Sequence, residues 1–205
     1  MKLAIFGASG ATGRHLLQLA LDAGHTVTVL VRSADSLPLK HPALTAVVGR
    51  IDQLETVESI VQGADAVISV LGARKGGAQT ICSDAMRSIV PAMHATGSHR
   101  LIALSAYGAS ETRNASWFIR FVRMVIADKM RDKDAMEALV RASDTDWTLV
   151  RPPALTNGQA SGRYRSGIRL RRGMTGRLSR ADLAAFILQT AESGEFIGQA
   201  PVVSL

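Results

Sequence analysis

Short apolar runs alternate with amphipathic segments along the chain. Six of these runs are too short for helices and suit strands that are buried in a parallel sheet. They predict strands at residues 3–6, 25–31, 44–49, 64–71, 100–104 and 146–150. The segments between them predict helices at residues 15–23, 54–62, 80–95, 116–127, 129–142 and 183–192, with a kink or local break at Pro91.

The first strand leads into a turn that is rich in glycine. Gly7, Gly10 and Gly13 follow one another at a spacing of three, and a helix comes next. A dinucleotide pyrophosphate binds the backbone N–H groups at a helix N-terminus, and glycines let that backbone come close. The turn therefore predicts a dinucleotide site, which also includes Ser9, Ala11 and Thr12; a glycine turn without a ligand is the alternative.

These elements together predict one domain over residues 1–205. We expect a single-domain Rossmann-type α/β fold, a doubly wound parallel sheet with helices on both faces. The C-terminal portion would form the substrate pocket, and residues 200–205 would add an edge strand.

The end of the second strand carries Arg32 and Ser33. An acidic residue near this point binds the ribose 2′-hydroxyl of NAD, whereas an arginine accommodates a 2′-phosphate. Arg32 therefore predicts a preference for NADP(H) over NAD(H). A solvated arginine at a strand end is the alternative.

Composition narrows the range of partners. The net charge of +7 favours anionic partners, such as a phosphorylated cofactor or an acidic substrate. With one cysteine, Cys82, and scattered histidines, we expect a packed thiol, no metal site and a reducing, cytoplasmic setting. No signal peptide, membrane span or membrane partner is expected, and the protein would be a monomer or homodimer.

Two segments leave alternatives open. The helix at residues 116–127 is amphipathic and basic, which favours a core-facing helix, then a mobile lid, and third a membrane-surface helix. Residues 163–180 hold seven arginines between glycines. We expect a solvated basic loop with one or two arginines directed at an acidic substrate, rather than a nucleic-acid site, because stacking aromatic residues are nearly absent.

Several stretches resemble one protein family. They are Gly7–Gly13, Val27–Arg32, Asp65–Gly72, Leu104–Tyr107, Trp147–Pro153, Pro153–Arg165 and Leu178–Asp182. Their sequences are similar to those of the atypical short-chain dehydrogenase/reductases, the group that includes biliverdin-IXβ reductase, also called flavin reductase. The resemblance covers nearly the whole chain and implies binding of NADP(H) and hydride transfer to a flavin or bilin.

The resemblance also implies roles for individual residues. Ser105 would lie near the nicotinamide, Tyr107 would border the substrate pocket, and Lys133 would match the family lysine; these three are the candidate catalytic residues. Further cofactor contacts would come from Asp52, Leu71, Gly72, Ala73, Arg74 and Pro152, with Ser105 and Lys133 touching the cofactor as well.

The sequence departs from the family pattern at three places. The family tyrosine would fall at Lys129, which removes the usual proton donor to a carbonyl. Ala154 stands where biliverdin-type reductases have a histidine, and Gly49 is followed by Arg50 instead of an aspartate. Asp52 is the possible substitute for that acid.

The main functional hypothesis is an NADPH-dependent reductase of a planar conjugated acceptor, with flavin first and bilin or quinone as alternatives. Flavin would be a substrate and not a bound prosthetic group. The rivals are a redox sensor or scaffold that binds NADP(H) without turnover, a binder of nucleic acid or an acidic partner, and, ranked last, a nucleotide-sugar epimerase or dehydratase.

Overall fold

A computed structural model describes residues 1–73, 78–168, 170 and 176–205. Six strands form one parallel sheet in the order β3-β2-β1-β4-β5-β6. Their bounds are β1 Lys2–Phe6, β2 Thr26–Val31, β3 Leu44–Val48, β4 Ala66–Ser69, β5 Arg100–Leu104 and β6 Asp146–Val150. This strand order is that of the doubly wound dinucleotide-binding fold, so the predicted fold class is confirmed.

Helices cover both faces of the sheet. They are α1 Ala11–Asp22, α2 Leu54–Val61, α3 Ile81–Thr96, α4 Trp117–Val125, α5 Ala127–Arg141 and α6 Arg180–Ser193. One hydrophobic cluster packs α1 and α6 against the sheet, and a second packs α2, α3 and α5 against the other face. Successive residues of β1, such as Ile5 and Phe6, belong to opposite clusters because successive strand side chains point to opposite faces.

Two helices differ from their predicted form. Helix α1 begins at Ala11, four residues before the predicted start, because the last part of the glycine turn is already its first turn. Helix α3 runs without a break through Pro91. Buried neighbours such as Ile89 and Met93 hold this part of the helix against the sheet, so packing compensates for the missing N–H.

The prediction that α4 faces the core is wrong. None of its residues is buried, and Trp117 and Phe121 are exposed. The pattern was amphipathic, but one apolar side of the helix faces a cavity and the other faces outward.

Four short strands lie outside the main sheet. They are β7 Ala154–Thr156, β8 Arg165–Gly167, β9 Arg177–Ser179 and β10 Val202–Ser204. Strand β7 pairs with β9, and β10 pairs with β8. The predicted C-terminal strand therefore exists, but it pairs with β8. Isolated bridges from Gln199 to Thr148 and from Val202 to Arg151 join this part of the chain to β6 and to the residue that follows it. The segment predicted to be mostly loop contributes two of these strands.

Candidate functional site

The glycine turn connects β1 to α1 at the carboxyl edge of the sheet. Gly7 has a φ of +94°, a conformation that strongly favours glycine, and a Cβ added to it would lie 3.1 Å from the backbone carbonyl carbon of Val70. A Cβ added to Gly13 would lie 2.1 Å from the Gly7 carbonyl oxygen. The turn can therefore close only with glycine at both positions.

The N-terminus of α1 offers donors for an anion. Gly10 precedes the helix and provides no side-chain cap, while the Arg14 N–H is bonded to the Gly10 carbonyl at 2.9 Å. The N–H groups of Ala11, Thr12 and Gly13 come before the first intrahelical hydrogen bond, so they are available to phosphate oxygens. Arg14 lies in the same turn and adds a positive charge, a contribution that the sequence analysis missed.

A cavity of about 410 Å³ lies beside this turn, and we call it the nucleotide cavity. It extends from the ends of β1 and β4 to the ends of β2 and β3. Ten of the residues that line it are Gly7, Ser9, Leu30, Arg32, Arg50, Asp52, Leu71, Gly72, Ile81 and Asp84. The predicted contacts around Gly7, Arg32, Asp52 and Gly72 thus surround one space.

Arg50 and Asp52 form an exposed ion pair at the wall of this cavity. Arg50 Nη2 lies 2.6 Å from Asp52 Oδ2. The hydrogen bond from Arg50 lowers the pKa of the Asp52 carboxyl below its usual value. Arg32 forms no ion pair with an acid in the described ranges, so its charge is the less compensated of the two. Arg50 was noted in the sequence only as a departure, yet it lies beside the same cavity.

Lys133 connects the ends of two strands. Its Nζ donates to the carbonyl oxygens of Leu71, at 3.2 Å, and Leu104, at 2.5 Å. The predicted cofactor contacts Gly72 and Ala73 follow Leu71 directly in the chain. The predicted contact Arg74 lies outside the described residues. The Lys133 ammonium also forms a hydrogen bond with the Cys82 side chain.

Cys82 lies beside this lysine. Its Sγ contacts the Leu71 carbonyl oxygen at 3.4 Å, and the side chain is buried. Burial raises the pKa of the thiol, although the nearby Lys133 charge opposes that shift. The prediction of a packed thiol is therefore confirmed.

Ser105 does not point its hydroxyl proton at open space. Its Oγ donates to the Glu137 carboxylate at 2.5 Å, and both residues are buried. Glu137 also accepts two bonds from Arg151, at 2.9 and 2.5 Å. Arg151 reaches Glu111 as well, and these carboxylates raise the pKa of its guanidinium against the opposing effect of burial. Since its proton is used here, Ser105 presents lone pairs that can accept a hydrogen bond.

A second cavity, of about 490 Å³, lies at the ends of β5 and β6; we call it the distal cavity. Most of its wall is apolar. Tyr107, Pro152, Pro153 and Ala154 form one part, and Arg177 brings a charge from the arginine-rich segment. Met130 and four apolar residues of the α4 region, Phe118, Ile119, Val122 and Ile126, form the part beneath that helix. The predicted residues Tyr107 and Pro152 therefore lie at this cavity.

Arg123 fixes α4 over the distal cavity. It donates to the Gly108 carbonyl at 2.6 Å and to Asp134 Oδ2 at 2.6 Å. Asp134 also accepts from the Ser110 N–H at 2.7 Å. Helix α4, the loop after β5 and helix α5 are thus joined, although α4 itself buries no residue.

Sequence reasoning also missed a pair of buried charges. Glu137 and Arg151 lie on α5 and at the end of β6, and nothing in the local pattern shows that they meet. Of the seven arginines between residues 163 and 180, three (Arg169, Arg171 and Arg172) lie outside the described residues. Among the rest, Arg177 lines the distal cavity and Arg180 binds Asn157.

Neither a metal centre nor a membrane-spanning helix is present in the part of the chain that the structure describes. Within the described part of the chain, no group of three or more metal-ligating side chains comes together. No helix there has the length and hydrophobicity needed to cross a membrane.

Comparison with known proteins agrees with this architecture. The chain is 30% identical to the ceramide reductase of Caulobacter vibrioides over 158 residues, which is 75% of this chain but 46% of that protein. It is 24% identical to the uncharacterized protein YwnB of Bacillus subtilis, over 82% of this chain and 79% of that one. The structure of ChuY, an anaerobillin reductase from Escherichia coli O157:H7, superposes with a TM-score of 0.86 at 22% identity, covering 99% of this chain and 96% of the other.

The family assignment rests on nearly the same stretch that the resemblance covers. The sequence profile of the NAD(P)H-binding family matches residues 7–193, from the first glycine of the turn to the end of α6. The sheet order, the glycine turn and the nucleotide cavity are what this family needs to hold its cofactor. The chain belongs to the NAD(P)H-binding family of Rossmann-type proteins.

Proposed function

We propose that the chain is an NADPH-dependent reductase that transfers hydride to a planar conjugated acceptor, with flavin as the first candidate. Family membership and the named relatives support the broader activity of an NAD(P)H-dependent oxidoreductase. The observation that carries the narrower proposal is the pair of cavities along one sheet edge. One has an anion cradle and an arginine, and the other has a mostly apolar wall.

The described residues fit a dinucleotide phosphate. A Cβ at Gly13 would fill the turn, and three N–H groups at the start of α1 come before its first intrahelical hydrogen bond. Arg32 lies after β2, where a 2′-phosphate is held in this fold, and Arg50 adds positive charge at the wall of the nucleotide cavity. Arg14 binds the Ser9 carbonyl and adds a charge beside the glycine turn. NADPH, when bound, supplies the hydride.

The chain contributes binding and orientation. Lys133 would hold the ribose, while Ser105 would accept a hydrogen bond from the nicotinamide amide or from an acceptor N–H. Tyr107 and the apolar wall of the distal cavity would pack against the flat face of the acceptor. Arg177 would meet its anionic group. Such a transfer depends on proximity and exclusion of water more than on a protein acid.

One rival keeps a specific observation in its favour. Lys129, which stands where the family tyrosine would supply a proton, is exposed. A protein that binds NADP(H) and signals its presence would need no proton donor. Turnover is therefore the property that separates the two functions.

The test is NADPH oxidation with FMN, riboflavin, quinones and biliverdin, repeated with NADH. Turnover with one acceptor, and a KM for NADPH that rises about tenfold in Arg32→Ala while the KM for NADH stays constant, is the expected result. Lys40→Ala is the matched control, because Lys40 is an exposed cation ahead of β3 and does not line the nucleotide cavity. Tight NADPH binding with no oxidation across the panel would replace the reductase with the sensor.

A further inference from the structure

Helix α4 has an outer face that nothing in the described structure covers. Trp117, Phe121, Met124 and Val125 recur at helical spacing on this face, and each is between 53% and 69% exposed. Exposed apolar clusters of this kind mark interaction surfaces. We call these four residues the α4 patch.

The patch is held in place and is not a poorly packed piece of core. The opposite side of α4 lines the distal cavity, and Arg123 ties the helix to Gly108 and Asp134. The helix therefore presents its apolar outer face from a fixed position. If α4 rotated to bury Trp117, both of these Arg123 contacts would break.

Positive charge surrounds the patch. Residues 113–131 contain five basic residues (Arg113, Arg120, Arg123, Lys129 and Arg131) and one acidic residue, Asp128, so the segment carries 5 − 1 = +4. Arg113, Arg120 and Lys129 are exposed, and none forms an ion pair with an acid in the described ranges. Their charges are thus available to a partner.

We propose that the α4 patch docks the protein on the surface of an anionic phospholipid bilayer. An interfacial helix buries aromatic and aliphatic side chains near the headgroups while its cations attract anionic lipid. The segment supplies both. A second copy of the chain fits less well, because it would bring two segments of charge +4 together. The proposal takes up the third alternative for residues 116–127, a membrane-surface helix, in place of the expectation that no membrane partner exists.

Docking would also place the distal cavity at the bilayer. The cavity lies beneath the same helix, and its mostly apolar wall suits a molecule that partitions into lipid. The docking itself depends only on the outer face of α4, so it stands whether or not the reductase activity is found.

Co-sedimentation with vesicles tests the proposal. The full chain should bind vesicles of phosphatidylcholine and phosphatidylglycerol, and bind pure phosphatidylcholine much more weakly. The double variant Trp117→Ser and Phe121→Ser should lower the affinity about tenfold or more. Ile197→Ser is the apolar control, because Ile197 is similarly exposed near the start of β6, at the other edge of the sheet.

The charge requirement has its own pair of variants. Arg120→Gln with Lys129→Gln should lower the affinity about fivefold for each charge removed, and the loss should disappear at high salt. Lys2→Gln with Lys40→Gln removes the same charge at the amino ends of β1 and β3 and should have little effect. In a Trp147→Phe background, Trp117 fluorescence should shift to the blue on anionic vesicles.

Three outcomes would overturn the proposal. One is equal binding to neutral and anionic vesicles. Another is vesicle binding that the α4 variants leave unchanged. The third is a soluble dimer, seen by sedimentation, that fails to bind vesicles and dissociates in the Trp117 and Phe121 double variant, since that would make the face an interface between copies.

Discussion

The buried carboxylate of Glu137 illustrates how a single residue holds the site together. It accepts hydrogen bonds from Ser105 and Arg151 and is fully shielded from solvent. A charge in this position is tolerated only with a partner, because removing either member leaves the other uncompensated. Glu137 therefore orients Ser105 through its proton and Arg151 through its charge.

Glu137→Gln should destabilise the protein strongly. We expect a loss of about 3–5 kcal/mol in the free energy of unfolding, because Arg151 would remain buried without its main partner. Urea unfolding followed by circular dichroism measures it. Glu111→Gln is the comparison, since Glu111 binds the same guanidinium from an exposed position and its loss should cost about 1 kcal/mol or less. Similar costs for the two variants would contradict the buried pair's role.

Gly13 makes a second residue-scale prediction. Its added Cβ would meet the Gly7 oxygen, so Gly13→Ala should force the turn open and raise the Kd for NADPH about tenfold or more. Gly167→Ala, where a Cβ meets nothing within 4 Å, should leave the Kd unchanged. Isothermal titration with NADPH distinguishes them, and an unaffected Gly13→Ala would show that the turn does not shape the cofactor site.

At the scale of elements, α5 holds the start of α3 and the ends of two strands in place. Its Asp132 accepts from the backbone N–H groups of Cys82 and Ser83, at 3.0 and 2.8 Å, and so satisfies the start of α3. The next residue, Lys133, connects the ends of β4 and β5. One helix thus fixes the position of another helix and the register of two strand ends.

The Asp132 contact predicts a dependence of stability on pH. Burial alone would raise the pKa of this carboxyl, but hydrogen bonds from Ser83 and Cys82 outweigh it and hold the folded-state pKa below the usual value. The contribution is therefore present above the unfolded pKa, near 3.9, and is lost as the pH falls through the lower folded pKa. Asp132→Asn should flatten the loss of stability between about pH 5 and pH 2.

Unfolding in urea at a series of pH values checks this. Asp128→Asn serves as the control, because Asp128 is exposed on the same helix and pairs only with Arg131 among the described residues. That variant should keep the slope of the parent protein. If the free energy of unfolding of Asp132→Asn changed with pH as steeply as that of the parent protein, the N–H groups of Cys82 and Ser83 would not favour the charged form of Asp132.

The whole molecule links cofactor binding to folding. The nucleotide cavity is lined by residues in or just after β1, β2, β3 and β4 and by α3, so a bound dinucleotide would connect four of the six strands of the sheet. A ligand that binds only the folded chain stabilises it by mass action. The effect depends on how far the ligand concentration exceeds the Kd.

NADPH at about 100 times its Kd should stabilise the fold by about 2.7 kcal/mol and raise the Tm by about 5–10 °C. NADH at the same concentration should raise it less, and Arg32→Ala should remove the difference between the cofactors. Differential scanning calorimetry measures all three. Equal shifts with NADPH and NADH in the parent protein would exclude a preference set by Arg32.

The sequence by itself determined the strands, most helices, the glycine turn and the family. These features depend on local order: buried strands read as short apolar runs, and Gly7, Gly10 and Gly13 lie within one turn. Boundaries shifted where glycines concealed the start of α1. The glycine turn and Trp147–Pro153 resemble known proteins, and this resemblance also indicated candidate site residues. Their roles stay predictions.

Only the tertiary structure decided which distant residues meet. Glu137 and Arg151 are fourteen positions apart on different elements, and Ser105 is a further thirty-two from Glu137. The outward face of α4 was hidden for the same reason, because a helical pattern shows that apolar residues share a side but not what that side contacts. Hydrophobic periodicity acts within an element, whereas pairing of buried charges and exposure of a face depend on the arrangement of all the elements.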